Sequence, residues 1–380
     1  VVIVNTCGFI EDAKREAIDN ILEFAQLKKE GRIKKILVTG CLAERYQREL
    51  VAEIPECDGV LGLAANADIV EAIERALADD PLYSFPPKEQ WSLDGDRVLT
   101  TPSFFAYLRI ADGCDNRCTY CAIPYIRGNM RSRKMETLVA EARALVASGA
   151  KELILIAQDT TVYGRDLYGE SKLPELLRQL CTIDGLHWIR LLYCYPEHIT
   201  EELLDVMATQ EKLLPYMDLP IQHASGAVLR RMNRPGDRRS LTDLIRHIRE
   251  RVPDITLRTT VMTGFPGETD ADFEELCEFI EDAQFDRLGC FAYSAEEGTP
   301  AATMPDQVPE DVKQRRLDRL MTEQQAISLE RNRLRVGSEE RVLVESVGAD
   351  GLGVARSAAE APETDGVIRV GGVSEADIGW

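Results

Sequence analysis

Two apolar, β-branched runs, VVIV at the start and KKILVTG at 34–40, punctuate the first eighty residues, and a stretch of helical spacing follows each, Glu11 to Glu30 and Glu44 to Glu53. Continuous apolar runs of this length are typical of parallel strands covered on both faces. A third helix is expected from Asn66 to Ala78, with Asn66 as its cap. Pro81, Pro86 and Pro87 then mark a linker over 81–102, which closes a first α/β domain at residue 80. From Ser103 the alternation becomes regular, with strands predicted at FFAYLRI, ELILIAQ, HWIRLLY, YMDLPIQ, TLRTTVM and DRLGCFAY. Between them, Met135 to Ser148 carries Leu138, Ala142, Leu145 and Val146 on one face and is stopped by Gly149. Asp270 to Asp282 opens with a T-x-x-D cap at Thr269 and Asp272 and turns Phe273, Leu276 and Ile280 inward. Six strand–helix repeats predict a parallel (β/α) barrel, complete or partial, over 103–335, with its working end at the C-terminal ends of the strands. Beyond the charged helix from Glu310 to Arg335, the runs RVLVES, GLGVARS and GVIRVGG predict a small β-domain over 336–380. The whole is read as an α/β protein of three parts.

Bulk properties narrow the setting. Hydrophobic content of 44% and charged content of 29% over 380 residues are those of a globular chain. No apolar run approaches the ~20 residues that span a bilayer, and no secretory signal is visible. The chain begins at Val1 inside an expected strand, so its natural start is expected upstream. Ten scattered cysteines point to a reducing cytoplasm and to metal-binding or catalytic thiols rather than to a disulfide framework. A net charge of -20 removes the long-range attraction to phosphate that most nucleic-acid binders use, and suits a basic partner better.

The segment GCDNRCTYC sets Cys114, Cys118 and Cys121 on the loop directly after the first barrel strand. A structural zinc site takes four ligands, and the next Cys or His downstream, Cys181, arrives alone. A zinc knuckle and stray thiols remain as bland readings. A cubane cluster on three thiolates would leave one iron open for chemistry.

The spacing resembles the C-x-x-x-C-x-aromatic-C motif of the radical S-adenosylmethionine (SAM) superfamily, with Tyr120 as the aromatic residue. The resemblance implies that Cys114, Cys118 and Cys121 hold a 4Fe-4S cluster whose fourth iron binds SAM, so that an electron from the cluster yields a deoxyadenosyl radical. No catalytic side chain beyond these ligands is implied. NTCGFIEDAK with Cys7 and VTGC with Cys41 resemble two of the three auxiliary-cluster cysteines of the methylthiotransferases. CAIPYIRGNMRSR and a trailing TRAM-like domain point the same way. CGFIEDAKREAI, AQDTTVYGRDLYG, DLPIQHAS and RRMNRPG resemble the RimO branch, which modifies the β-carbon of an aspartate in small-subunit ribosomal protein twelve. The family's first auxiliary cysteine would lie upstream of Val1, and its TRAM domain would run past Trp380. Residues 336–380 hold nine Asp or Glu against three Arg, which fits a basic protein substrate better than RNA. The implied partners are that ribosomal protein and an electron donor such as flavodoxin or ferredoxin, with no membrane. A tRNA-modifying relative is the near alternative, and a non-catalytic iron–sulfur or zinc protein with an RNA-binding tail the distant one.

Candidate SAM and substrate contacts lie at the strand ends. Gln158 and Asp159 close the second barrel strand, where radical SAM proteins tend to hold the SAM amino group, and Gln222 and His223 close the fourth. Arg258 and Thr263 bracket the fifth, and Gly264 opens GFPGET, where glycine lets backbone approach adenosine or simply turns into the next helix. His223 reads equally as an active-site group or as a polar core residue. Arg127, Arg131 and Arg133 either position a carboxylate or the loop, or form a solvated basic face. Core packing is expected of Cys57, Cys181, Cys194, Cys277 and Cys290.

Overall fold

A computed structural model describes residues 1–95 and 97–379; Asp96 in the expected linker and Trp380 at the end of the expected β-domain lie outside the described residues. Two compact units emerge, the first made of Val1–Gly95 with Gly113–Met130 and Ser294–Met304, the second of the remainder.

The first unit is a four-stranded parallel sheet in the order β1-β2-β3-β4. Its elements are β1 (Val2–Thr6), α1 (Glu11–Lys29), β2 (Ile36–Gly40), α2 (Cys41–Glu53), β3 (Gly59–Leu61), α3 (Ile69–Leu77), β4 (Leu82–Ser84) and a short α4 (Ile123–Arg127). Every residue of β2 is buried, as its unbroken apolar run requires. Ile21, Ile36, Val38, Leu42 and Val60 form the core between that sheet and its helices. Two expectations are corrected here. Asn66 caps no helix: it sits in the 3₁₀ turn Leu63–Asp68 and α3 starts at Ile69, because the Asn66 side-chain oxygen accepts from the Thr39 hydroxyl instead. The proline-marked stretch after Ala78 also contains a strand, β4, which pairs with β3 just beyond Pro81.

In the second unit six strands lie parallel in the order β5-β8-β9-β10-β11-β12. They are β5 (Phe105–Arg109), β8 (Glu152–Ile156), β9 (Trp188–Leu191), β10 (Leu213–Asp218), β11 (Thr256–Thr263) and β12 (Arg287–Ala292), and the short pair β6 (Ala111–Asp112) and β7 (Arg131–Ser132) branches off after β5. Among the described residues β5 and β12 do not pair, so the barrel is partial. Helices α5 (Met135–Ala147), α6 (Arg165–Tyr168), α7 (Leu173–Cys181), α8 (Glu201–Thr209), α9 (Gly226–Arg231), α10 (Arg238–Arg251), α11 (Asp270–Ala283) and α12 (Glu310–Leu334) connect and follow the strands. α5 buries Leu138, Ala142 and Leu145, and Gly149 ends it at φ 114°. α11 has the expected capping box of Thr269 and Asp272 and buries Phe273, Leu276 and Ile280. β10 begins earlier than YMDLPIQ suggests, at Leu213, and stops before Pro220, which has no N–H to offer a ladder.

The antiparallel strands β13 (Leu343–Val347), β14 (Leu352–Arg356) and β15 (Ile368–Gly371) complete this unit. Buried charges fasten them to the parallel sheet. Glu152 of β8 lies 2.7 Å from Arg190 and 2.8 Å from Arg356, and all three side chains are sealed from solvent. Arg190 also donates to the Ala358 carbonyl at 2.8 Å, and Arg356 reaches Glu345 at 2.5 Å. Removing one member of such a group leaves an uncompensated buried charge. Glu152→Ala should therefore lower the free energy of unfolding by about 3–5 kcal/mol in urea titrations followed by circular dichroism. A loss below about 1 kcal/mol, the scale of an exposed pair, would show that the charges are not buried together.

Candidate functional site

The cysteine loop is built on backbone that only glycine can supply. Gly113 has φ 81°, and a Cβ there would stand 2.1 Å from the Asn129 carbonyl oxygen. That close approach lets the Cys114 N–H reach the Gly128 carbonyl at 3.2 Å, while the Cys121 N–H bonds the Cys118 carbonyl at 3.0 Å. Asp115 accepts from the Met130 N–H at 3.3 Å, and the Thr119 carbonyl from the Ala301 N–H at 3.0 Å, so the loop is tied at several points. Cys114 and Cys118 are buried; Cys121 and Tyr120 are half-buried. Burial pushes the Cys121 thiol up to about 12, and the neighbouring Cys118 and Cys114 push the same way against the Ile123 N–H. The three sulfurs thus lie within electrostatic reach of one another, and a bound metal would reverse the effect by deprotonating its ligands. Among the described residues no three His, Cys, Asp or Glu side chains stand as a ready-made metal group. The donor set itself, three shielded thiols on one loop, fits an iron–sulfur cluster.

Cys7 and Cys41 meet through strand register. Thr6 pairs with Gly40 at the end of β1 and β2, so each cysteine is the next residue beyond a paired strand end. Gly40 has φ 97°, with a Cβ position 2.4 Å from the Thr6 carbonyl oxygen, and a Cβ on Gly8 would fall 2.8 Å from the Leu42 backbone. The Cys7–Gly8 turn is therefore pressed against the Cys41–Leu42 step. Cys7 is exposed and Cys41 half-buried.

At the strand ends of the second unit the residues separate by what already holds them. Gln158 follows β8 with its side-chain oxygen buried and without a hydrogen-bond partner. Asp159, buried, accepts from the Thr161 N–H at 3.0 Å and faces His198 Nδ1 at 3.1 Å. Gln222, at φ 68°, ties the chain beside β11: its N–H donates to Thr260 at 2.9 Å and its carbonyl accepts from Met262 at 2.8 Å. His223 is fully buried; its Nδ1 accepts from the Ser225 N–H at 2.9 Å, which places the ring proton on Nε2, 3.9 Å from Glu268. Burial holds the His223 pKa down to about 4, so the ring is neutral. Burial raises Glu268 to about 7, although Arg316 at 2.9 Å pulls it down. Arg258 lies 3.9 Å from both Asp218 and Asp365. Thr263 is buried at the end of β11, and the space where a Cβ of Gly264 would go is filled by Lys313 at 2.2 Å.

Of the basic run, Arg133 is buried and pairs with Glu141 at 2.6 Å, so it is no solvated face; Arg127 and Arg131 are half-buried. Cys57, Cys194 and Cys277 are in the core, while Cys181 and Cys290 are half-buried. Glu268, Arg316, Asp218 and Asp365 were not singled out by spacing. Glu268 stands within GFPGET and Asp218 opens DLPIQHAS.

Comparison with known proteins follows these features. The Radical SAM superfamily profile matches residues 108–280, Uncharacterized protein family UPF0004 residues 1–62 and the TRAM domain residues 336–379. Ribosomal protein uS12 methylthiotransferase RimO of Desulfitobacterium hafniense (strain Y51) is 48% identical over 381 residues, covering 100% of this chain and 86% of that protein. The chain belongs to the RimO methylthiotransferase family. A second RimO, from Lachnoclostridium phytofermentans, is 50% identical over 372 residues, with 97% and 84% coverage. In fold the chain is similar to the radical SAM methyltransferase TsrM of Kitasatospora setae, solved with cobalamin and a [4Fe-4S] cluster, at a TM-score of 0.59 and 14% identity over 79% of this chain and 65% of that one. As a radical SAM protein, the RimO family member described here uses a 4Fe-4S cluster and SAM.

Two measurements probe the geometry. Gly113→Ala should fold yet bind markedly less iron on anaerobic reconstitution, because the loop cannot close over Asn129; full loading would show that the loop tolerates a Cβ. For Glu268, a folded pKa of about 7 against an ordinary 4.5 means stability that is present at low pH and lost as pH rises through 7. His223, with its pKa depressed to about 4 from 6.5, loses its contribution only as pH falls below 6.5 and is silent above it. Between pH 6.5 and about 8 the melting temperature should therefore fall more in the native chain than in Glu268→Gln. Parallel curves would mean that Glu268 is ionised throughout.

Proposed function

We propose that this chain replaces a C–H bond with C–S–CH₃ on the β-carbon of an aspartate in ribosomal protein uS12. The observation that carries the reading is identity near one half, over the whole chain, to curated uS12 methylthiotransferases. Cys114, Cys118 and Cys121 hold the SAM-binding cluster, and Cys7 and Cys41 hold part of a second 4Fe-4S cluster that carries the sulfur. When bound there, the cluster together with SAM would supply a radical able to take hydrogen from an unactivated carbon.

The chain's own residues confine and orient that chemistry. Burial of Cys114 and Cys118 keeps water from the thiolates, and Gly113 fixes the loop that presents them. Gln158, whose buried oxygen has no hydrogen-bond partner among the described residues, is the strand-end group best able to bind SAM or substrate; Arg258, near the start of β11, stands 3.9 Å from Asp218 and Asp365. Tyr120 belongs to the cluster loop; Asp159, Gln222, His223, Thr263 and Gly264 shape the strand ends of the second unit, and Asp159, Gln222 and His223 act through the hydrogen bonds that already hold them. The acidic tail complements a basic ribosomal protein. The reductant is of the flavodoxin or ferredoxin class and the setting is the cytoplasm. No helix of the described residues is long and apolar enough to cross a membrane.

Two variants separate the two steps. Cys118→Ala should abolish deoxyadenosine formation from SAM under reducing, anaerobic conditions. Cys41→Ala should keep deoxyadenosine formation and lose methylthiolated aspartate. Deoxyadenosine from a chain lacking all three loop cysteines would end the assignment.

A further inference from the structure

Within the first unit, one short segment touches both cysteine sets. It runs from Cys121 through α4 to Gly128. At its far end the Gly128 carbonyl accepts from the Cys114 N–H at 3.2 Å, closing the cluster loop. Along its length Ala122 and Ile126 are fully buried with Leu63, and Cys41 packs against that group. At its last helical residue, Arg127 Nη2 donates to Cys41 Sγ at 3.4 Å, and its guanidinium lies over the Trp91 ring at 5.6 Å from the centroid.

A planar guanidinium held over an indole ring is restricted in how it can turn, which favours keeping its N–H on the sulfur. A hydrogen bond to a metal-ligating sulfur withdraws charge from it. Such contacts set cluster potentials, and losing an outer partner typically weakens metal binding by roughly 10–100-fold. We infer that Arg127 is a positioning residue for the auxiliary cluster, orienting Cys41 and raising the potential of the cluster it ligates. Because Arg127 sits next to Gly128, the segment also sets the spacing between the two cysteine sites. The inference rests on the reading of Cys41 as a cluster ligand, and it adds a residue that no cysteine spacing reveals.

The test uses the full chain in a Cys118→Ala background, where a cluster on the loop is lost and one on Cys7 and Cys41 remains. Reduction potential by electron paramagnetic resonance and iron loss to a chelator are compared with and without Arg127→Gln. The expected result is a lower potential and iron loss about 10-fold faster or more. Arg127→Lys, which keeps the charge but not the planar fork, should shift both in the same direction by less. If Arg127→Gln does not fold, the lysine variant carries the test. A cluster with unchanged potential and unchanged iron loss in a folded Arg127 variant overturns the inference alone. A Cys118→Ala chain with no cluster at all removes the assignment of Cys7 and Cys41, and the inference with it.

Discussion

Parallel pairing of strands is the constraint on which the functional parts of this chain depend. A strand that runs parallel to its neighbour must return by a crossover, here a helix, so every strand ends on the same edge. In the first unit the register of Thr6 with Gly40 then leaves Cys7 and Cys41 no choice but to emerge side by side. In the second, the same rule gathers Gln158 and Gln222 beyond the ends of β8 and β10 and Thr263 at the end of β11. What parallel pairing does not supply is the sharp backbone that turns a strand end into a site. Gly40 and Gly113 supply it, at positive φ and with carbonyl oxygens where a Cβ would be.

Charge is buried at both ends of the second unit. Where the antiparallel strands join, Glu152, Arg190 and Arg356 are buried together in close contact, and Glu345 supplies the second negative charge against the two arginines. Toward the C-terminal strand ends, the buried His223 keeps 3.9 Å from Glu268. Glu268 itself is held at 2.9 Å by the buried Arg316, so a close pair stands at this end as well.

The regular elements were legible because their periodicities were clean. The six barrel strands, the stop at Gly149 and the Thr269 cap all follow from local chemistry, and so does the three-cysteine loop. β3 and β4 were not legible, since three residues are too few to show a period. Asn66 misled because an amide that caps a helix and one that accepts from a hydroxyl across a sheet look alike in sequence. The Glu152 group and the His223–Glu268–Arg316 contacts draw their members from elements far apart in the chain, and no spacing rule joins them. Arg127 was visible as one of three arginines. That it meets Cys41 depends on how α4 packs.

The central claim is that a radical SAM site in this chain acts on a protein. Mass spectrometry of ribosomal proteins and of tRNA, from cells with and without the gene, tests it most directly. The account predicts that a methylthiolated aspartate in uS12 disappears on deletion and returns with the intact gene, while the tRNA modifications are unchanged. A methylthio group lost from tRNA adenosine, with uS12 unaltered, would contradict it.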